Sequence, residues 1–169
     1  VLNTFVANIP FNIIRLTILR LLGYQIDRTT SIHVGCTFLG KGSQLYIGEN
    51  TTVNTECVLD SRSRLEIGSS CSISRGVLML SLTHDHRISS FPLLRKEVII
   101  GDGVWIGANA IIIPGVNLGS NCVVGAGSVV TKNFPPYSIL AGNPAKKIGT
   151  RLVEQKISKS YVPWFGKMT

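Results

Sequence analysis

The feature that most constrains this chain is an aliphatic residue recurring every six positions. The series runs through Ile26, Ile32 and Phe38, then Ile47, Val53 and Leu59, then Ile67, Ile73 and Met79. Its longest stretch is Ile100, Ile106, Ile112, Leu118, Val124 and Val130. A period of six fits neither the period of about 3.6 expected of a helix nor long alternating strands. It fits a solenoid of very short strands, in which each hexapeptide forms one flat side of a triangular coil and about three hexapeptides complete a turn.

Each hexad has a finer grammar, visible in IGDGVWIGANAIIIPGVNLGSNCVVGAGSV. An aliphatic residue comes first, often followed by Gly; polar residues or Gly fill the corner, and a small or aliphatic residue stands fifth. The first and fifth residues are expected to face inward. Gly and Asn at the corners suit the positive φ that a tight turn requires. The GAGSVV stretch is therefore a corner and not a dinucleotide loop, since no strand-to-helix switch surrounds it. Cys36, Cys57, Cys71 and Cys122 each fall four residues after a hexad start, at the inward small position. They read as small core residues without metal-ligand spacing, and a reduced, cytoplasmic home follows.

A chain of 169 residues with 44% hydrophobic content suits one domain. The formal net charge of +8 attracts polyanions, whether nucleic acid, anionic lipid or a phosphate-rich small molecule, and does not choose among them. Three segments emerge: an N-terminal helix within 1–25, a solenoid over 26–145 interrupted by a loop at 80–99, and a basic tail over 146–169. The amphipathic helix is predicted over 8–22, with Asn8 as its cap, Pro10 in its first turn and Phe11, Ile14, Ile18 and Leu21 as one apolar stripe. It is too short to span a bilayer, and a cleaved secretory leader fits poorly. It either caps the open end of the solenoid or lies on a membrane surface, with Arg15 and Arg20 reaching anionic headgroups. The loop, SLTHDHRISSFPLLRKEV, holds His84 and His86.

Residues 99–148, IIGDGVWIGANAIIIPGVNLGSNCVVGAGSVVTKNFPPYSILAGNPAKKI, together with the preceding THDH, resemble the hexapeptide-repeat acyltransferases. The similarity is greatest to the branch of galactoside, maltose, nodulation-factor and colanic-acid or capsule acetyltransferases, and it covers roughly residues 26–148. The resemblance implies an all-β fold, a left-handed parallel β-helix with an N-terminal helix and a protruding active-site loop. It also implies acetyl transfer from acetyl-CoA to a sugar hydroxyl, without a metal, in a homotrimer whose active sites lie between subunits. The position matching the family's catalytic base is His84. The chemistry is coherent, because an imidazole with an ordinary pKa of about 6.5 can take the proton of an attacking hydroxyl near neutrality. The backbone N–H of Ala108 matches the donor to the tetrahedral oxyanion. Trp105 matches a tryptophan beside the pantetheine channel, although packing between coils is an equal reading. Ala126 and Thr131 match pantetheine contacts, and Lys132 and Lys146 match basic positions near the CoA phosphates. Asn54 matches an acceptor contact. His86 is assigned a supporting role at the acceptor or in the loop, and Asp85 and Arg87 read as ordinary loop charges. Phe91, Pro92, Leu93 and Leu94 would pack the projecting loop against a neighbouring subunit.

Two positions depart from the sugar enzymes: Arg62 stands where they carry an acidic acceptor residue, and Thr52 where they carry a tyrosine. The expected acceptor is therefore a nucleotide-linked, lipid-linked or polymeric sugar. That points to capsule, exopolysaccharide or O-antigen biosynthesis in the cytoplasm, either free or peripheral to the inner face of the membrane through residues 8–22, with no nucleic-acid partner. The alternatives are N-acetylation of an amino sugar, a zinc enzyme using His33, His84 and His86 like the γ-type carbonic anhydrases, and a non-catalytic binding or scaffold solenoid.

Overall fold

The computed structural model describes residues 6–152. Helix α1 (Asn12–Leu21) precedes five three-sided coils. The first coil is β1 (Gln25–Ile26), β2 (Ser31–Ile32) and β3 (Thr37–Gly40). The second is β4 (Leu45–Ile47), β5 (Thr52–Val53) and β6 (Val58–Ser61), and the third is β7 (Leu65–Ile67), β8 (Ser72–Ile73) and β9 (Leu78–Met79). A hairpin of β10 (Leu82–His84) and β11 (Leu93–Arg95) interrupts the winding. It resumes with β12 (Val98–Ile100), β13 (Trp105–Ile106) and β14 (Ile111–Ile112), then β15 (Asn117–Leu118), β16 (Val123–Val124) and β17 (Val129–Val130). The hairpin β18 (Ser138–Gly142) and β19 (Ala145–Thr150) closes the far end.

Parallel pairing between coils makes three sheets, A through β1-β4-β7-β12-β15, B through β2-β5-β8-β13-β16-β18 with β19 at its edge, and C through β3-β6-β9-β14-β17. The six-residue period sets the register, so the hexad starts stack on one another. Ile47 pairs Ile67 and Ile67 pairs Ile100 on sheet A, while Phe38 pairs Leu59 and Leu59 pairs Met79 on sheet C. A strand of two residues buries one side chain, or two in β2, so cohesion comes from these columns and not from any strand alone.

The fifth hexad position carries a second column. Its small side chains are buried and donate to a carbonyl of the next coil: Thr30 Oγ1 to Gly48 O at 2.7 Å, Cys36 Sγ to Asn54 O at 3.1 Å, Cys57 Sγ to Ser74 O at 3.1 Å and Cys71 Sγ to Gly101 O at 3.1 Å. Cys122 reaches Pro135 O at 3.2 Å. All four thiols are free and buried, as the hexad count predicts, and burial pushes Cys71 up to about 11. In the native protein they should react with an aromatic disulfide reagent at least a hundredfold more slowly, roughly, than free cysteine, and at full rate in denaturant. Stoichiometric prompt labelling of the native protein would contradict this packing.

Glycine at the corners has two causes, of which the sequence suggests one. Gly103 has φ 65°, the left-handed geometry of a tight corner. Gly107, directly after a hexad start, has no positive φ; a Cβ there would lie 2.6 Å from the Ala126 nitrogen of the next coil, so close stacking excludes a side chain.

The helix caps the open first coil, but its buried face differs from the expected stripe. Phe11, Ile14 and Leu21 are exposed, Ile18 is partly buried, and Arg15, Leu16 and Leu19 face the core. The rotation follows from the backbone carbonyls that an open coil leaves unpaired. The Arg15 guanidinium donates to the carbonyls of Ile9 and Ile32, and Arg20 donates to those of Ile26 at 2.8 Å and Asp27 at 2.7 Å. Burial lowers the pKa of Arg15. These two arginines therefore cap the solenoid and do not reach out to headgroups. Helix α1 begins at Asn12 with Phe11 as its N-cap residue and no side-chain cap, so Asn8 is not the cap. Among the described residues no helix is long and apolar enough to cross a membrane.

At the other end, β19 pairs antiparallel with β18, so Lys146 and Lys147 sit on a strand and the boundary expected at residue 145 falls inside this hairpin. Arg151 Nη1 straps it down by donating to Gly103 O at 2.7 Å. Lys156, Lys159 and Lys167 of the expected basic tail lie outside the described residues.

Candidate active site

The interrupting loop is an ordered arm. It leaves the corner between sheets C and A, where Leu80 N–H bonds Ile112 O at 3.0 Å, and returns where Val98 N–H bonds Arg64 O at 2.9 Å. Between these points β10 and β11 pair with Leu82 opposite Arg95 and His84 opposite Leu93. Beyond them Asp85 N–H bonds Pro92 O at 2.9 Å, and Asp85 forks onto Arg87 through Nε at 2.9 Å and Nη2 at 2.8 Å. The Arg87 guanidinium holds the Asp85 carboxyl below the usual range. These residues thus close the arm's tip; they are not free loop charges.

His84 ends β10 with its ring exposed, and its Nδ1 lies 2.6 Å from the carbonyl oxygen of Phe91. A carbonyl can only accept, so Nδ1 carries a proton, and in the neutral ring the lone pair is on Nε2. Phe91 has φ 47°, and the turn that adopts it brings this carbonyl to the imidazole. His86 is exposed and makes no hydrogen bond among the described residues. His33 follows β2 in the first coil, where burial lowers its pKa, so the three histidines are not gathered. Ile88, Phe91 and Leu93 present apolar surface along the arm.

A clamp at the arm's root was not foreseen from the sequence. Asp60, fully buried at the end of β6, accepts from Arg62 Nε at 2.9 Å and Nη2 at 3.0 Å, from Arg62 N–H at 3.0 Å and from Ser81 N–H at 3.3 Å. Ser81 Oγ accepts from Ser63 N–H at 2.8 Å, Ser81 O accepts from Lys96 N–H at 3.0 Å, and Arg95 Nη1 donates to Arg62 O at 2.5 Å. The recurrence of Asp-x-Arg at 60–62 and 85–87 was the available signal, since this spacing lets one carboxylate meet the next-but-one guanidinium.

The remaining site residues lie on two corners of the prism. At the corner between sheets B and C stand Asn54, Ala108 and Ala126, with Trp105 on β13 beside them. The N–H groups of Ala108 and Ala126 bond no partner among the described residues, while Ala108 O accepts from Gly127 N–H at 2.8 Å. Asn54 Oδ1 caps the Thr55 N–H at 2.7 Å, and the indole N–H of Trp105, a residue 51% exposed, meets Ser74 Oγ at 3.2 Å. The Trp105 ring is thus half-exposed and hydrogen-bonded to the neighbouring coil. Lys146 is exposed on β19 opposite Ala141. Thr131 and Lys132 emerge after β17 at the other corner, with Lys132 Nζ 5.6 Å from the Phe134 ring centre. Within one chain, therefore, His84 and the free Ala108 N–H issue from different corners.

Comparison with known proteins agrees with this architecture. Residues 97–132 match the family model described as the hexapeptide repeat of succinyl-transferase. A maltose O-acetyltransferase from Clostridium difficile 630 is 35% identical, with 80% of this chain and 74% of that one covered and a TM-score of 0.69. The chain belongs to the hexapeptide-repeat acetyltransferase family. Another member, the Vibrio cholerae acetyltransferase VCA0836 complexed with acetyl-CoA, is 27% identical with a TM-score of 0.74, covering 86% of this chain and 80% of that one. Among curated relatives, the chloramphenicol acetyltransferase of Klebsiella aerogenes is 37% identical over 59% of this chain and 57% of that protein. The chain spans less than two thirds of the length of the curated relatives it matches.

Proposed function

We propose that this protein transfers an acetyl group from acetyl-CoA to a sugar hydroxyl by direct attack, with His84 as general base. The observation that carries the reading is the His84 imidazole on a hydrogen-bonded hairpin arm, its Nδ1 engaged by the Phe91 carbonyl and its Nε2 without a partner among the described residues. Nε2 takes the acceptor's hydroxyl proton as the oxygen attacks the thioester carbonyl. The tetrahedral oxyanion then accepts the unpaired N–H of Ala108, and collapse breaks the carbon–sulfur bond. The departing thiolate recovers its proton from His84, leaving free CoA and the acetyl ester. Trp105, Ala126 and Thr131 contact the pantetheine, while Lys132 and Lys146 meet the phosphates. Asn54 and His86 contact the acceptor.

The separation of His84 from Ala108 supports a homotrimer in which the arm of one subunit completes the site of the next. The exposed Ile88, Phe91 and Leu93 supply the apolar contact. The maltose enzyme among the neighbours supports a sugar acceptor, and the acetyl-CoA complex supports the donor. The setting that fits these features is acetylation of a surface polysaccharide or its precursor in the cytoplasm. The purified protein should release thiol from acetyl-CoA only when an acceptor is present, and mass spectrometry should find the product heavier by one acetyl group. Acetyl-CoA should also raise the thermal midpoint. No thermal shift and no acceptor-dependent thiol release across a panel of neutral and acidic sugars would refute the reading.

A further inference from the structure

The root of the arm borders a cleft of about 390 Å³ lined by Gly40, Lys41, Gln44, Arg62, Ser63 and Arg95. Half of the lining residues are cationic and none is acidic. Their guanidinium groups are held in place. Buried Asp60 grips Arg62 by Nε and Nη2, leaving Nη1 without a partner among the described residues, and Arg95 is anchored by Nη1 on Arg62 O, leaving Nε and Nη2 open. Lys41 Nζ has no partner among the described residues. Asp60 compensates one positive charge, so Lys41 and Arg95 leave the cleft with uncompensated charge. Gly40, at φ 103°, keeps its rim as bare backbone; a Cβ there would lie 2.4 Å from the Ser61 carbonyl. Donors fixed in advance lose little freedom on binding, and a guanidinium fork matches the oxygens of a carboxylate or phosphate.

The cleft is tied to the proposed base through the hairpin. Leu82 pairs Arg95 and His84 pairs Leu93, so Arg95 and His84 are two ladder steps apart on the same face of the arm. That is a rise of roughly 7 Å along the strands. We infer that the cleft binds an oxyanion borne by the acceptor, so that the substrate class is an acidic or phosphate-linked sugar whose neighbouring hydroxyl reaches His84 Nε2. The inference rests on the acetyltransferase reading and adds the charge of the acceptor to it. Arg62, the residue that departs from the sugar enzymes, forms part of this cradle.

The test uses three acceptors with acetyl-CoA: trigalacturonate for a carboxylate, UDP-glucose for a diphosphate and maltotriose as a neutral control. Each is also titrated calorimetrically without acetyl-CoA. The expected result is that one anionic acceptor exceeds maltotriose by at least about tenfold in kcat/KM. Added salt should lower that ratio, and Lys41→Glu and Arg95→Gln should each lower it about tenfold. These two side chains are exposed, and their replacement leaves no buried charge behind, unlike that of Arg62. Galacturonate preference identifies an acidic glycan, and UDP-glucose preference a nucleotide-linked sugar. Preference for maltotriose, or an anion preference unchanged in both variants, overturns the inference while leaving acetyl transfer standing. If none of the three is acetylated, calorimetry decides: anion binding weakened tenfold in the variants upholds the cleft, and no binding, or binding indifferent to both changes, overturns it.

Discussion

His84→Ala should lower kcat for acetyl transfer about a thousandfold, within the roughly 10²- to 10⁴-fold contribution of a positioned general base. The KM for acetyl-CoA should change little, because no donor to the proposed pantetheine or phosphate contacts is removed. The fold should be equally indifferent, since the ring is exposed and its one bond, to Phe91 O, is replaced by water. Steady-state thiol release, with the thermal midpoint and its increase by acetyl-CoA as controls, makes the comparison. His86→Ala should cost less than about tenfold, as that side chain makes no hydrogen bond among the described residues. A His84 variant with near-normal turnover removes the residue from the base role, and equal losses at both positions would leave the two histidines undivided.

The coil architecture was legible because one physical requirement, an inward aliphatic residue on every side of the prism, writes itself directly into the spacing of Ile47, Ile67 and Ile100. The cysteines followed from the same count. The helix was misread for a reason internal to hydrophobicity patterns: they score Arg15 and Arg20 as surface residues and take no account of carbonyls left unpaired at an open coil. Once those carbonyls are counted, the long arginine stems turn inward and Phe11, Ile14 and Leu21 turn out. The arm's position was visible as a break in rhythm between Met79 and Ile100. Its clamp was not, because the bonds from Asp60 to Ser81 and from Arg95 to Arg62 join residues more than twenty positions apart, brought together only by coiling. The division of the site between two corners was likewise beyond the period, which places side chains in or out but does not say which corner an inserted arm leaves.

Asp60→Ala should be the most damaging change outside the proposed chemistry, with an expected loss of about 3 kcal/mol in unfolding free energy. It removes a fully buried acceptor that serves four donors and strands the N–H groups of Arg62 and Ser81. Arg62, 44% exposed, can recover water for its guanidinium, which keeps the cost below that of an isolated buried charge. Burial by itself would raise the Asp60 pKa, but the bonds from Arg62 and the Ser81 N–H outweigh it and hold the carboxyl below its ordinary value. A folded-state pKa below the unfolded value of about 3.9 means that the carboxylate's contribution is complete above that pH and is lost as pH falls through the folded value. Asp60→Asn should therefore lose stability at neutral pH and flatten the acid limb of the stability curve below about pH 4. Since Asp60 holds Ser81 and the segment from which β10 departs, both variants should also lower kcat more than the KM for acetyl-CoA changes. That split belongs to a residue that positions the arm; a loss of stability with kcat intact would leave Asp60 a purely structural ligand of Arg62.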